Sequence, residues 1–421
     1  MQPARKSWVA VAAAIAVMLS LGLNLALLKG GSYLATPIPG VRFPDLLFFT
    51  GALVGIFESR RTRYRQPRGI WILVTITAIY VFIVSFRAQQ AGLETILVLR
   101  DSAFFIYVLA LPGVIYLVQL IGSRGVVLVL RISTGILAIW LGVTFAGWNS
   151  AEFGSQFSEN LFSINADIAG IVLAVGILSW SNQFGWRQVW IVQAIMLFVG
   201  LQLQSRVGAA SVVVVWVITI VGLKPIKSKF LFAGLGLAIV LITSLSSNYL
   251  AGQQVNRFTE SALPGLSRIV PANESGQGTT NARLDTWADV IESVERENSM
   301  MLGRGPGSAA LDEACGGSCL VSGGVEDLRY PHNIELSIWL YHGLVGLSLF
   351  GAWIIYLLTA GWKRRPQVTQ WVPPMLLFGA AQVGVVLESP FGLVPFVFFA
   401  AWVLSMKQTA TRLPLRSGHP D

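Results

Sequence analysis

The sequence predicts an all-α, polytopic integral membrane protein with about twelve transmembrane helices and one large extracytoplasmic loop. Of its 421 residues, 54% are hydrophobic and only 12% are charged, whereas charged residues make up about 25% of a typical soluble domain. Apolar runs recur along the chain, and runs of about 17 to 22 residues are long enough to cross the hydrocarbon core of a bilayer. This composition excludes an ordinary soluble globule.

The candidate spans follow one another with short connections, except at one place. They cover residues 8–28, 43–57, 70–86, 103–121, 126–147, 164–180, 187–204, 207–223, 229–246, 334–358, 371–387 and 391–406. The run 43–57 is short and is compatible with a partly re-entrant segment. The first run follows Arg5 and Lys6 as a signal peptide would, but it is too long for a cleaved one and predicts a retained anchor.

The basic residues predict the orientation of these spans. With the N-terminus inside, the short inner segments hold 18 Lys and Arg residues, whereas the short outer loops hold five. Inner loops of membrane proteins carry the excess of positive charge, so both termini are expected in the cytoplasm. The net charge of +9 then reports topology and not a nucleic-acid partner, which would require a clustered basic face.

One outer segment is much longer than the other connections and divides the chain into three parts. Residues 247–333 form this loop, which contains 11 of the 21 Asp and Glu residues. A loop of this length is usually functional or disordered. The predicted organisation is nine helices in 1–246, the extracytoplasmic loop in 247–333, and three helices with a cytoplasmic tail in 334–421.

Within the loop, one stretch has the pattern of an amphipathic helix. Trp287, Val290, Ile291 and Val294 are spaced i, i+3, i+4 and i+7, with acidic residues opposite. We expect this helix to lie on the outer membrane surface with its tryptophan at the interface. Arg283 precedes Trp287 by one turn and shares its face, an unusual place for an arginine unless it meets an anion.

Two further features of the loop give weaker evidence of a chemical role. The stretch GRGPGS at 303–308 is not a complete nucleotide-binding fingerprint and follows a helix rather than a strand, so it is interpreted as a backbone turn. Cys315 and Cys319 are the only cysteines, and an extracytoplasmic location permits either a disulfide or a free pair. A metal site would need more ligands than these thiols and three histidines supply.

Three residues at the predicted outer face are candidates for catalysis, and each also has a structural interpretation. Arg206 could be an arginine whose charge reaches the membrane interface, and Arg283 a surface arginine paired with nearby acids. His332 could be a helix-start residue that hydrogen-bonds a carbonyl, followed by Asn333 as the helix cap. His342 falls inside the apolar helix and is interpreted as structural.

Taken together, the three candidates indicate chemistry on a phosphorylated lipid. Two guanidinium groups suit a diphosphate, because each can bind two phosphate oxygens at once. A histidine beside them can take a proton from an attacking hydroxyl near neutral pH. The membrane-embedded diphosphate expected on this face is a polyprenyl carrier that bears a sugar chain.

With this combination of residues, the sequence resembles the O-antigen ligase and polymerase family. Its members are membrane glycosyltransferases that act on undecaprenyl-diphosphate-linked glycans. The resemblance covers roughly residues 160 to 360 and is carried by Asn165, Ser205, Arg206, Arg283, Trp287, Gly303, Gly305, His332, Asn333, Leu336, Gly343 and Gly346. One position departs from the family pattern, because Tyr341 stands where relatives often carry an acid.

The resemblance implies a metal-independent, inverting glycosyltransferase that needs no cofactor. It would transfer a glycan from polyprenyl diphosphate to a hydroxyl of a glycan, a lipid core or another acceptor, on the periplasmic face of the inner membrane. Its partners would be these substrates and the lipid bilayer, without nucleic acid. The implied catalytic residues are His332, Arg206 and Arg283, and the implied substrate-binding residues are Asn333, Asn165, Trp287 and Arg304.

Two alternatives from other classes remain open at the level of sequence. A transporter of a small anion could use the arginines as a substrate relay, although Asp167 and Arg131 are nearly the only charges inside the helices and transport paths usually carry more. A structural partner of an envelope glycan assembly complex could use the 87-residue loop as its docking surface.

Overall fold

A computed structural model describes residues 7–28, 42–62, 64, 66–145, 166–181, 190–202, 206–223, 286–314, 331, 333–364, 368–382 and 386–405. The elements in these ranges are all helices, which agrees with the predicted all-α class. Several sequence predictions lie outside the described residues, namely the span 229–246, the pair Cys315 and Cys319, and the site residues Asn165, Arg283 and His332.

Residues 8–145 contain six described helices. They are α1 (Trp8–Leu27), α2 (Phe43–Arg61), α3 (Arg68–Gln90), the short α4 (Thr95–Asp101) and α5 (Ala103–Val108), and the long α6 (Leu111–Phe145). Residues 166–405 contain the other eight described helices, two of which lie in the predicted loop 247–333. They are α7 (Ala166–Ser179), α8 (Trp190–Gln202), α9 (Arg206–Leu223), α10 (286–296), α11 (Ala310–Ala314), α12 (Ile334–Arg364), α13 (Val368–Ala380) and α14 (Pro390–Ser405).

The surface of these helices is that of a membrane protein. By length and composition, α1, α3, α6 and α12 could each cross a membrane, and the remaining apolar helices are shorter. On α3, Ile76, Phe82 and Phe86 are 49%, 72% and 52% exposed. Apolar side chains that form a continuous exposed face are unfavourable in water and suit contact with lipid.

Two helices form the centre of the bundle. All residues of α14 from Gly392 to Ser405 are buried, and so are the residues 168–179 of α7. The central helix α14 packs against α1, α2, α5, α6, α12 and α13, whereas α7 packs against α6, α8, α9 and α13. A helix that is apolar around its whole circumference is expected at such a buried position.

The structure differs from the predicted spans in two places. The predicted span 103–121 is divided, because α5 ends at Val108 and a new helix begins at Leu111. Pro112 favours this new start, since proline lacks the N–H that a helix interior would use. The predicted span 371–387 ends early, at Ala380, and the carbonyl of Ala381 accepts a hydrogen bond from the Ile334 N–H at 3.0 Å.

Candidate active site

Residues 286–314, here called the docked segment, pack onto the first half of α12. Val290 and Val294 of α10 form a small hydrophobic cluster with Ala310, Leu311, Leu340 and Tyr341. The predicted amphipathic helix is therefore present, but these two apolar residues contact the protein instead of the membrane surface. Tyr341 is 1% exposed and fills the centre of this contact.

Trp287 ties the start of the docked segment to the chain just before α12. Its indole Nε1 donates a hydrogen bond to the carbonyl oxygen of Pro331 at 2.7 Å. Pro331 is the residue before His332 in the sequence. The predicted interfacial tryptophan thus uses its polar atom to join two parts of the candidate site.

A break in α12 receives the turn that follows α10. At Gly343 the backbone leaves the helical conformation, with φ 65°. The carbonyls of Leu340 and Tyr341 accept hydrogen bonds from the N–H groups of Arg304 and Gly305, at 2.8 and 3.1 Å. On the other side of the break, the N–H groups of the two residues that follow Gly343, at 344 and 345, donate to the carbonyls of residues 300 and 301, at 2.9 and 3.2 Å. The turn therefore pairs four backbone groups that the break leaves open.

Two glycines of the family-like motifs meet at this break. A Cβ atom on Gly303 would lie 2.5 Å from the carbonyl carbon of Tyr341, and one on Gly343 would lie 2.4 Å from the backbone nitrogen of Gly303. Both glycines also have positive φ, at 68° and 65°, a region that other residues rarely adopt. Only glycine fits both requirements at these two positions.

Arg304 holds the docked segment together. Its guanidinium contacts Glu297 at 2.5 Å, Ser293 Oγ at 3.2 Å, and the carboxylate of Glu313. These contacts join α10, the following turn and the residues of α11. Arg304 was predicted to bind substrate, and these three contacts show that it also stabilises the docked segment.

Asn333 caps α12, as its position before the apolar run predicts. Its Oδ1 accepts a hydrogen bond from the Leu336 N–H at 3.0 Å, and its Nδ2 donates to the carbonyl of Gln382 at 3.2 Å. The side chain therefore satisfies one open N–H of the helix and fixes the start of α12 against the chain after α13.

His342 is part of the protein interior. It is 1% exposed, and its Nδ1 lies 3.2 Å from the hydroxyl of Tyr80 while its Nε2 lies 3.1 Å from the carbonyl of Asp101. The carboxylate of Asp101 in turn accepts a hydrogen bond from the Gly307 N–H of the docked segment, at 2.7 Å. This environment supports the interpretation of His342 as a structural residue.

A small cleft with both polar and apolar lining residues lies beside the start of α12. Its polar lining consists of Arg100, Asp101, Ser337, Tyr341 and Glu388, the last of them only 6% exposed. Burial raises the pKa of Glu388 to about 8. Sequence reasoning missed Glu388, although an acid between two apolar runs was a signal that could have pointed to it.

Three of the described site residues lie at one end of α12. Trp287, Arg304 and Asn333 all contact the residues just before α12 or its first half, whereas Arg206 begins α9. Among the described residues, no group of three or more His, Cys, Asp and Glu side chains is arranged to hold a metal ion.

Comparison with known families gives one match. Residues 191–351 match the family model described as O-antigen ligase. The matched range extends from α8 through the docked segment to the middle of α12, and it includes the glycine pair at the helix break. No curated protein and no solved structure gives a significant match to the chain.

Proposed function

Because residues 191–351 match the family model described as O-antigen ligase, we propose that this membrane protein transfers a glycan from a polyprenyl diphosphate to an acceptor hydroxyl. The observation that carries the proposal is the docking of α10 and its following turn on α12. In this docking, α10 is connected to Pro331 by the hydrogen bond of Trp287. Arg283 precedes α10 in the sequence, and Pro331 is the residue before His332.

The proposed reaction is a displacement at the anomeric carbon of the donor sugar. The acceptor oxygen forms the new glycosidic bond on the face opposite the leaving group, so the configuration inverts. The bond between the anomeric carbon and the diphosphate breaks, and the electron pair leaves with the diphosphate. Arg206 and Arg283 stabilise this growing negative charge, which is often the largest contribution to catalysis.

His332 acts as the general base in this scheme. It takes the proton of the acceptor hydroxyl as the oxygen attacks, and no metal or cofactor is required for the step. Asn333 holds the backbone beside this histidine, and we assign Asn165 and Trp287 to substrate binding. Arg304 supports the turn that enters the break in α12.

The proposal includes the membrane arrangement expected from the sequence. It has about twelve spans in the inner membrane with both termini in the cytoplasm. The parts are 1–246, the loop 247–333 on the periplasmic face, and 334–421. The donor then reaches the site from the bilayer and the acceptor reaches it from the periplasm.

One observation weighs against the transport alternative. Arg131 was one of the few charges available for a relay inside the helices. Its Nε donates a hydrogen bond to the Ser179 carbonyl at 2.7 Å, and its guanidinium lies 4.6 Å from the ring centroid of Trp180. An arginine held in this way is a structural contact between helices.

The test is glycan transfer by purified protein in detergent, with a lipid-diphosphate-linked glycan as donor. Detergent abolishes compartments, so product formation cannot result from transport or from scaffolding of other enzymes. We expect Arg206→Gln, Arg283→Gln and His332→Gln each to reduce the rate by about 10² to 10⁴-fold, because each removes a charge or a base from the transition state.

Two matched controls separate chemistry from loss of charge. Arg296→Gln changes an exposed arginine on α10, and His419→Gln changes a histidine near the C-terminus; both should transfer glycan at the unsubstituted rate. Wild-type rates in the three site variants would reject the catalytic assignment, and no product from the unsubstituted protein would reject the proposed function.

A further inference from the structure

We propose that Glu388 is a positioning residue of the transfer site, a neutral carboxyl group that fixes the start of α12 next to His332 through Ser337 and Asn333. The inference rests on the proposed function, since it assigns Glu388 to that same site. It extends the site to the turn between α13 and α14, which lies outside the range matched by the family model.

Hydrogen bonds link three groups in series, the Glu388 carboxyl, the Ser337 hydroxyl and the Asn333 carbonyl. Ser337 Oγ lies within hydrogen-bonding distance of Glu388 Oε1 and also 3.0 Å from the carbonyl oxygen of Asn333. A serine hydroxyl has only one hydrogen to donate. If Ser337 donates it to the Asn333 carbonyl, then Glu388 must carry a proton and donate to Ser337. A neutral Glu388 is therefore the form that satisfies both contacts at once.

The second oxygen of Glu388 points to the same conclusion. Glu388 Oε2 is buried and has no hydrogen-bond partner among the described residues. An ionised carboxylate buried with one oxygen unpaired is costly, whereas the neutral acid is much less so. Glu388 is thus a nine-tenths buried polar group with an open oxygen, in the cleft at the foot of α12.

The charged neighbours of Glu388 come from two helices. Burial is the largest cause that raises the pKa of Glu388 to about 8, and the charges of Asp101 of α4 and Glu335 of α12 act in the same direction, whereas the hydrogen bond from Ser337 lowers this pKa. Arg100 of α4 and Tyr341 of α12 also line the cleft. The carboxyl group is therefore neutral at neutral pH and becomes ionised as the pH rises through about 8.

The series of hydrogen bonds extends beyond the contact between Glu388 and Ser337. Asn333 Nδ2 donates to the carbonyl of Gln382, and Gln382 Nε2 donates to Glu335 Oε1 at 2.9 Å. The whole first turn of α12 is therefore held by the turn between α13 and α14. When Glu388 ionises, it loses its O–H, so Ser337 must turn its hydroxyl hydrogen toward the carboxylate. The Asn333 carbonyl then keeps only the hydrogen bond from the Ser337 N–H, at 2.9 Å.

The first experiment is the pH profile of glycan transfer. With a pKa of about 8, the transfer rate should fall through pH 8 and be about tenfold lower at pH 9, because about one carboxyl in eleven is still neutral there. Glu388→Ala should lose at least tenfold at pH 7. Glu388→Gln should recover most of that loss and lack the alkaline fall, since an amide donates to Ser337 and does not ionise.

The second experiment does not depend on activity. Infrared difference spectra between about pH 7 and pH 9 should show loss of the carbonyl stretch of a neutral carboxyl group, and Glu388→Gln should remove that band. Glu295→Gln, at an exposed position on α10, should change neither the spectrum nor the rate.

The outcomes are distinguishable. A titrating infrared band without any transfer activity would support a neutral Glu388 at about pH 7 and would reject the proposed function. An unchanged alkaline fall in Glu388→Gln, or the absence of a titrating band in the unsubstituted protein, would overturn the inference about Glu388.

Discussion

At the scale of single residues, Trp287 is the contact that joins the docked segment to the chain around His332. Trp287→Phe keeps an aromatic ring but removes the hydrogen bond to the Pro331 carbonyl. We expect a loss of roughly 1–2 kcal/mol in the free energy of unfolding and a slower transfer reaction. Thermal unfolding in detergent, followed together with the transfer rate, measures both effects.

Trp362→Phe is the matched control, because Trp362 lies on the same long helix as the break and is 79% exposed. It should change neither the unfolding temperature nor the rate in detergent. Equal behaviour of the two variants would show that the indole hydrogen bond contributes nothing to the docking.

The residues of the site were predictable to different degrees, for physical reasons. Asn333 was recognised because capping depends on neighbours three residues away, which the sequence displays directly. The contacts of Arg304 with Glu297 and Glu313 depend on how the turn folds, so the sequence does not reveal them. Glu388 was missed because its partner Ser337 is 51 positions away in the sequence.

At the scale of elements, the break in α12 is the feature with the strictest requirements. Gly343→Ala would introduce a Cβ atom 2.4 Å from the Gly303 nitrogen, at a φ of 65°. We expect a loss of at least about 2 kcal/mol in stability, because the new side chain is both strained and in collision with the turn. Expression yield and thermal unfolding in detergent measure this loss.

Gly351→Ala provides the comparison within the same helix. A Cβ atom at Gly351 meets no atom within 4 Å, and alanine is a better helix former than glycine. Its stability should be equal or slightly higher. If Gly343→Ala were as stable as Gly351→Ala, the turn would not be interlocked with the helix as described.

The elements were predicted well wherever hydropathy alone determines them. The runs 8–28, 70–86 and 164–180 correspond closely to α1, α3 and α7. Hydropathy averages over many residues, so it did not reveal the division of 103–121 or the break at Gly343, whereas the break at Gly122 falls between the predicted spans 103–121 and 126–147. The break in α12 depends on partners from 300–305, and no local pattern contains that information.

At the scale of the whole molecule, the orientation in the membrane decides which face holds the reaction. In intact spheroplasts, a membrane-impermeant thiol reagent should label Cys315 and Cys319 after reduction. A cysteine introduced by Arg63→Cys, with both native cysteines replaced by serine, should react only after the membrane is permeabilised, because the basic segment around residue 63 is expected inside.

The same reagent added to permeabilised spheroplasts is the control. It should then label Cys315 and Cys319 of the unsubstituted protein and also the cysteine introduced in the Arg63→Cys variant. Labelling of the Arg63→Cys variant in intact spheroplasts would invert the topology. The docked segment and the site on α12 would then face the cytoplasm, and the proposed encounter with a periplasmic acceptor would be impossible.

The interlock at Gly343 also has a consequence for biogenesis. Gly303 precedes Gly343 by 40 positions, so the ribosome releases the turn before it releases the broken part of α12. With the topology proposed above, four backbone groups of an inserted helix find their partners only after the preceding segment has been translocated. A chain that retained this segment in the cytoplasm would expose unpaired groups to lipid, at several kcal/mol for each group. Export of the segment and completion of the helix are therefore coupled, because these four backbone groups are paired only when both have occurred.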